Sequence, residues 1–170
     1  WIWKPTAQCL RAAGHNVHAP TLDGCAERRH EIRPGITVST QAQEVADLLF
    51  YEDIPDAILV GTSFGGMVIS KAAELARATL GQNSVKHLVY VDALAPQPGE
   101  TCADIVVRDP NRPYNRLELS QGPTPEDMEN RLFADFEPGL RAWAVARYTL
   151  HPNGGTDAEP GELDNFWSQS

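Results

Sequence analysis

The sequence predicts an α/β fold with a parallel sheet, and three observations carry that expectation. Ala57 to Val60 is a short continuous apolar run after Pro55, too short for a helix and suited to a strand buried on both faces. A glycine cluster, Gly61 to Gly66, ends it, and Val68, Ala72, Leu75, Ala76 and Thr79 then mark a helical stripe that stops near Gly81. Val85 to Val91 reads as the next strand. A strand, helix, strand order with a crossover of this length implies parallel pairing and a right-handed connection. Residues 57–62 and 86–91 are therefore expected to lie side by side, with 65–80 as the crossover helix.

Upstream of this unit, Trp3, Ala7, Leu10 and Ala13 recur at helical spacing, with Pro5 fitting a first turn and Gly14 the residue after a helix end. The spacing predicts a helix over 3–13. His15 to Ala19 alternates polar and apolar residues up to Pro20, as a short strand does. Thr21 to Val38 holds many charges and no sustained period, which predicts a surface connection. Thr40 followed three positions later by Gln43 makes a capping-box pattern, and Val45, Leu48 and Leu49 supply an apolar face, so a helix is expected over 41–52.

Composition changes after Ala93. Prolines recur between Pro96 and Pro138, charges dominate, no strand is evident, and the periodic stretches are about 124–134 and 139–150. A helical, proline-rich segment after a parallel sheet reads as a lid over a site, the plainer alternative being a poorly ordered appendage. Trp143, Val145, Ala146 and Tyr148 read mainly as its core. The expected division is a core segment at 1–94 and a lid at 95–170.

Charge and composition exclude several function classes. At 170 residues and 42% apolar composition the chain suits one globular domain. With 23 acidic against 14 basic residues the formal charge is −9, which repels nucleic acid and anionic membranes. No apolar run approaches the roughly 20 residues that cross a bilayer. Cys9, Cys25 and Cys102 are odd in number and widely spaced, which fits structural thiols in a reducing, cytoplasmic compartment rather than a disulfide framework. The His and Cys residues lack metal-ligand spacing and no dinucleotide fingerprint is present, so neither a metal nor a cofactor is expected.

The residues that carry chemistry are Gly61, Thr62, Ser63, Phe64 and Gly65, a GxSxG pattern set between the buried strand and the striped helix. A serine nucleophile needs its hydroxyl lifted above the sheet edge, and a sharp strand-to-helix turn does this only where the neighbours carry no bulky side chains. Gly61 and Gly65 meet that need. The amide of Phe64, at the start of the helix, is placed to stabilise an oxyanion. The plainer reading is a tight turn with an ordinary capping serine.

With these residues in view, the stretches GTSFGGMVIS and HLVYVDALAPQPGE, with LRAAGHNVHAPTLDG upstream, resemble α/β-hydrolase fold esterases related to the plant methylesterases and hydroxynitrile lyases and their bacterial relatives. The resemblance covers nearly the whole chain and is strongest over 57–99. It implies a three-layer α/β-hydrolase fold with a mainly parallel sheet and a helical lid, and it places Ser63 on the nucleophile. Asp92 ends the strand after the elbow helix, where some members of the family draw the triad acid while others take it one strand later. The alternative for Asp92 is a carboxylate that satisfies loop amides.

Two family features fall outside the sequence. The HG-type loop that supplies a second oxyanion amide would precede Trp1, and the catalytic histidine would follow Ser170. The chain is accordingly expected to be an internal part of a longer protein, loosely folded and inactive when isolated. Of the five histidines, His15 and His18 flank the early strand, His30 lies in the charged loop and His87 opens a later strand. His151 is the least implausible substitute base. The expected activity is hydrolysis of a small or medium carboxylic ester through an acyl-enzyme on Ser63. Cyanohydrin cleavage, lactone opening, or a ligand-binding homologue without a working triad are the alternatives.

Overall fold

The computed structural model describes residues 1–82, 84–107, 109–155 and 161–162. They form two compact units. One comprises Trp1–Arg33 with Asn111–Pro152, and the other comprises Pro34–Pro110 with the segment from Asn153 onward.

The second unit holds the expected parallel pair. Strand β1 (Ala57–Ser63) runs parallel to β2 (Val85–Ala93), and the helix between them occupies Gly65–Leu80. The helix preceding β1 spans Val38–Tyr51. Numbered in chain order after a first helix at Lys4–Ala12 (α1), these are α2 (Val38–Tyr51) and α3 (Gly65–Leu80). Helices α2 and α3 pack together through small residues, with Ala42, Ala46, Ala72 and Ala76 all buried. Alanine there lets the two backbones approach closely while leaving no void. Val38 and Met67, both fully buried, extend the contact to Phe64, Leu94 and Ile105.

Two expectations change in this unit. The capping box of α2 is formed by Thr37 and Thr40, one pair earlier in the chain: the Thr37 hydroxyl accepts from the Thr40 N–H at 3.3 Å, and the Thr37 N–H donates to the Thr40 hydroxyl at 2.8 Å. Gln43 instead donates to Asp47 at 2.8 Å. β1 also alternates rather than being buried on both faces. Ala57, Leu59 and Gly61 face inward with α3, whereas Ile58 and Val60, with Val89 and Val91 on β2, are exposed.

In the first unit, α1 starts at Lys4 with Pro5 in its first turn and ends before Gly14, whose φ of 90° is left-handed. The strand expected at 15–19 is absent. The segment forms no ladder, and the Val17 carbonyl is taken by the Arg11 guanidinium instead. The loop expected at 21–38 is not a plain connection: Ala26–Glu31 forms a 3₁₀ turn, and buried Asp23 accepts two hydrogen bonds from Arg33 at 2.7 and 3.0 Å with Arg28 at 3.6 Å.

The proline-rich segment contains strands after all. β3 (Tyr114–Arg116), β4 (Ser120–Pro123) and β5 (His151–Pro152) make a small antiparallel sheet. Each is too short to show alternation in sequence. The helical stretch expected at 124–134 becomes a short turn at Pro125–Asp127 followed by a π-helical turn at Met128–Leu132. The stretch expected at 139–150 ends early, as a helix over Pro138–Val145, because the chain must leave it to pair His151 and Pro152 with β4. Met128, Phe133 and Ala144 form the core of this unit, with Trp1 edge-to-face on Trp143 at 5.6 Å. Among the described residues no helix is long and apolar enough to cross a membrane.

The hydrogen bonds from Arg33 hold the Asp23 carboxyl below its ordinary range, against the opposing effect of its burial. A carboxylate of this kind stabilises the fold fully above its unfolded pKa of about 3.9 and loses that contribution as pH falls through the lower folded value. Asp23→Asn is expected to cost about 1–2 kcal/mol at neutral pH and progressively less as pH falls below about 4. Thermal unfolding of both forms from pH 7 to pH 2 checks this. Glu27, Asp104 and Asp127 are also lowered and keep their own acid dependence in both forms.

Candidate active site

Ser63 is the last residue of β1, and α3 begins two residues later with Phe64 at its N-cap. The turn is sharp because Ser63 adopts a left-handed conformation, φ 50°, while Phe64 is already helical at φ −56° and ψ −24°. A left-handed serine costs of order 1–3 kcal/mol and persists only where neighbours hold it. Here the Ser63 carbonyl accepts from the Leu94 N–H at 2.9 Å, and its backbone pairs with Ala93. The Ser63 side chain is exposed.

The glycines around it divide by role. A Cβ on Gly61 would lie 2.6 Å from the Gly65 carbonyl oxygen, and one on Gly66 would lie 2.0 Å from that of Leu94. Both approaches exclude any side chain. A Cβ on Gly65 would meet nothing within 4 Å. The steric need expected of Gly65 therefore falls on Gly66, while Gly65 contributes its carbonyl to the contact with Gly61.

A buried polar tie fixes the first turn of α3 to β2. The Ser70 hydroxyl donates to the Gly66 carbonyl at 2.7 Å, which leaves Tyr90 on β2 as the donor of the 2.7 Å hydrogen bond between the two hydroxyls. Burial pushes the Tyr90 phenol up, and the bond to Ser70 opposes this in part.

Asp92 sits at the same end of the sheet as Ser63. Thr62 pairs with Val91 and Ser63 with Ala93, so Asp92 is the extra residue of a bulge, left-handed at φ 45° and exposed. The bulge takes it out of the ladder. His87, on the same strand, pairs with Ile58. Five residues of strand at about 3.3 Å each separate that level from Ser63, which is too far for a base. His15, His18, His30 and His151 belong to the other unit. His151 has an imidazole nitrogen 3.0 Å from the Pro152 carbonyl, and burial pushes its protonation down. Among the described residues no hydrogen bond reaches the Ser63 hydroxyl.

A family model described as "Alpha/beta hydrolase family" matches residues 1–168. The chain belongs to that family. Within it, the chain is similar to a carbendazim hydrolyzing esterase from Nocardioides sp. (strain SG-4G), 37% identical over 101 residues, 59% of this chain and 40% of the relative. It is also similar to an alpha-hydroxynitrile lyase from Arabidopsis thaliana, 32% identical over 99 residues, 56% of this chain and 36% of the relative. The match thus spans less than half the length of either relative. Among solved structures, an extracellular alpha/beta-hydrolase from a Paenibacillus species superposes with a TM-score of 0.73 at 22% identity, covering 98% of this chain and 67% of that one. An Arabidopsis methylesterase gives a TM-score of 0.67 at 18% identity, covering 92% and 63%. At such identities the structures speak for the alpha/beta hydrolase fold alone.

The division among the glycines is testable by stability. Gly66→Ala in the full-length protein is expected to lower unfolding free energy by about 3 kcal/mol or more, because a backbone carbonyl must move. Gly65→Ala should change it by less than about 1 kcal/mol. Chemical denaturation of the two variants beside the parent measures both, and equal effects would refute the assignment.

Proposed function

We propose that the full-length protein is a serine hydrolase of carboxylic esters that works through an acyl-enzyme on Ser63. The observation that carries this reading is the left-handed Ser63 between β1 and α3, exposed and pinned by the Leu94 N–H. An ordinary capping serine needs neither the strain nor the exclusion of side chains at Gly61 and Gly66. The similarity to a carbendazim hydrolyzing esterase supports the same chemistry.

In this mechanism the Ser63 hydroxyl passes its proton to a histidine base as its oxygen bonds to the acyl carbon. Charge moves to the carbonyl oxygen, where the Phe64 amide at the start of α3 serves as a donor. Collapse breaks the bond to the alkoxy group, which leaves as the alcohol with the proton from the base. Water then attacks the acyl-enzyme by the same route, releasing the acid and restoring Ser63. The histidine base of this mechanism is proposed to be supplied by the full-length protein. Asp92 is the proposed acid that orients it. Substrates are small or medium organic esters. Cyanohydrin cleavage is the second reading, favoured by the similarity to an alpha-hydroxynitrile lyase.

The test is labelling and turnover in the full-length protein. A fluorophosphonate probe should modify Ser63, and Ser63→Ala should abolish labelling and reduce hydrolysis of p-nitrophenyl acetate by about 10³-fold or more. Phe64→Ala retains the backbone amide and should lose less than about tenfold. Labelling that survives Ser63→Ala would reject Ser63 as the nucleophile, and release of aldehyde from a cyanohydrin without ester turnover would favour the lyase.

A further inference from the structure

The 3₁₀ turn at Ala26–Glu31 carries four charged residues beside the buried Asp23, and all of these but one are bonded to another side chain. Asp23 is held by Arg33 at 2.7 Å, Glu31 by Arg28 at 2.9 Å, and Glu27 accepts from the Thr21 hydroxyl at 2.6 Å. Arg29 is the exception. Its guanidinium makes one long hydrogen bond, 3.4 Å, to the Ala26 carbonyl of its own turn, and no ion pair among the described residues.

Arg29 lines an open cavity of about 360 Å³ within the same compact unit. Ser120 and Thr149 add hydroxyls to the lining, and Ile32, Tyr148 and Leu150 add apolar surface. Thr149 accepts the Ala26 N–H at 3.0 Å with its side-chain oxygen, which leaves its hydroxyl hydrogen available as a donor. The Tyr148 hydroxyl end lies against Gly122, where it would obstruct a Cβ, so the ring forms the wall. The lining of the cavity therefore combines one guanidinium, two hydroxyls and apolar side chains. A concave site of several hundred cubic ångströms with a few convergent polar groups is the usual form of a small-molecule site.

We propose that this cavity binds a small organic carboxylate. The carboxylate lies on the Arg29 guanidinium, which can grip both oxygens, and accepts from the hydroxyls of Ser120 and Thr149. Its hydrocarbon part covers Ile32, Tyr148 and Leu150. A neutral alcohol lacks the charge, and inorganic phosphate lacks the apolar part. The site makes no use of Ser63, so it stands or falls apart from the hydrolase reading.

The experiment uses the full-length protein carrying Ser63→Ala and titrates hexanoate while following the methyl resonances of Ile32 and Leu150. Saturable shifts of both are expected, at least tenfold weaker for 1-hexanol and for phosphate. Arg29→Gln should weaken hexanoate tenfold or more, and Arg29→Lys, which keeps the charge without the fork, should weaken it less. If the glutamine variant unfolds, the lysine variant and Ser120→Ala decide, each expected to weaken binding at least threefold. No shift at either methyl up to about 20 mM hexanoate, or shifts unchanged by replacing Arg29, would overturn the proposal.

Discussion

Leu94 holds the turn at Ser63 from two sides. Its N–H donates to the Ser63 carbonyl at 2.9 Å, while its own carbonyl oxygen stands where a side chain on Gly66 would begin. One peptide segment after β2 thus fixes both the last residue of β1 and the first turn of α3. The strand cannot drift from its partner without breaking the hydrogen bond, and the helix cannot shift sideways without colliding with the carbonyl. Gly61 closes the same wedge from within, with the Gly65 carbonyl oxygen 2.6 Å from where its Cβ would be. The left-handed conformation of Ser63 is what remains when these contacts are met together.

Each unit meets the demand for a core in its own way. In the unit that holds the sheet pair, α2 lies on α3 through alanines, and the contact ends on Val38 and Met67 beneath Phe64 and Leu94. The residues that position the turn are therefore continuous with the best buried part of that unit. Ser70 and Tyr90 reinforce it with two short hydrogen bonds in a place where an unmet hydroxyl would be costly. In the other unit, helices and strands are short, and larger side chains and ions compensate. Aromatic residues gather around Met128 and Phe133, Arg141 donates to the carbonyls of Phe133 and Phe136, each at 3.1 Å, and Asp23 is locked by Arg33.

How legible each part is in the sequence follows from how local its cause is. β1, α3 and β2 are read correctly because period, length and glycine punctuation all lie within 40 residues of one another. The strand expected at 15–19 has the right alternation, but alternation describes a face and not a partner, and Arg11 takes the Val17 carbonyl. β3, β4 and β5 are two to four residues long, below the length at which a period exists. The cap of α2 is misread by one pair because Thr37 and Thr40 have the same spacing as Thr40 and Gln43, and only the backbone tells which threonine is extended. The ionic lock on Asp23 joins residues ten apart with no motif to announce it.

At the site, the GxSxG spacing correctly marks the turn but misassigns one of its glycines. The motif writes Gly65, whereas the fold needs Gly66, because the excluded volume comes from Leu94, nearly thirty residues downstream. The same remoteness hides what happens to Asp92. Its sequence position at a strand end is plain, but its conformation follows from register: holding Ser63 against Ala93 while Thr62 stays with Val91 leaves one residue too many on β2. That residue is expelled as a left-handed bulge, a conformation aspartate tolerates better than most side chains. The exposure of Asp92 thus follows from the same register that sets Ser63 against Ala93.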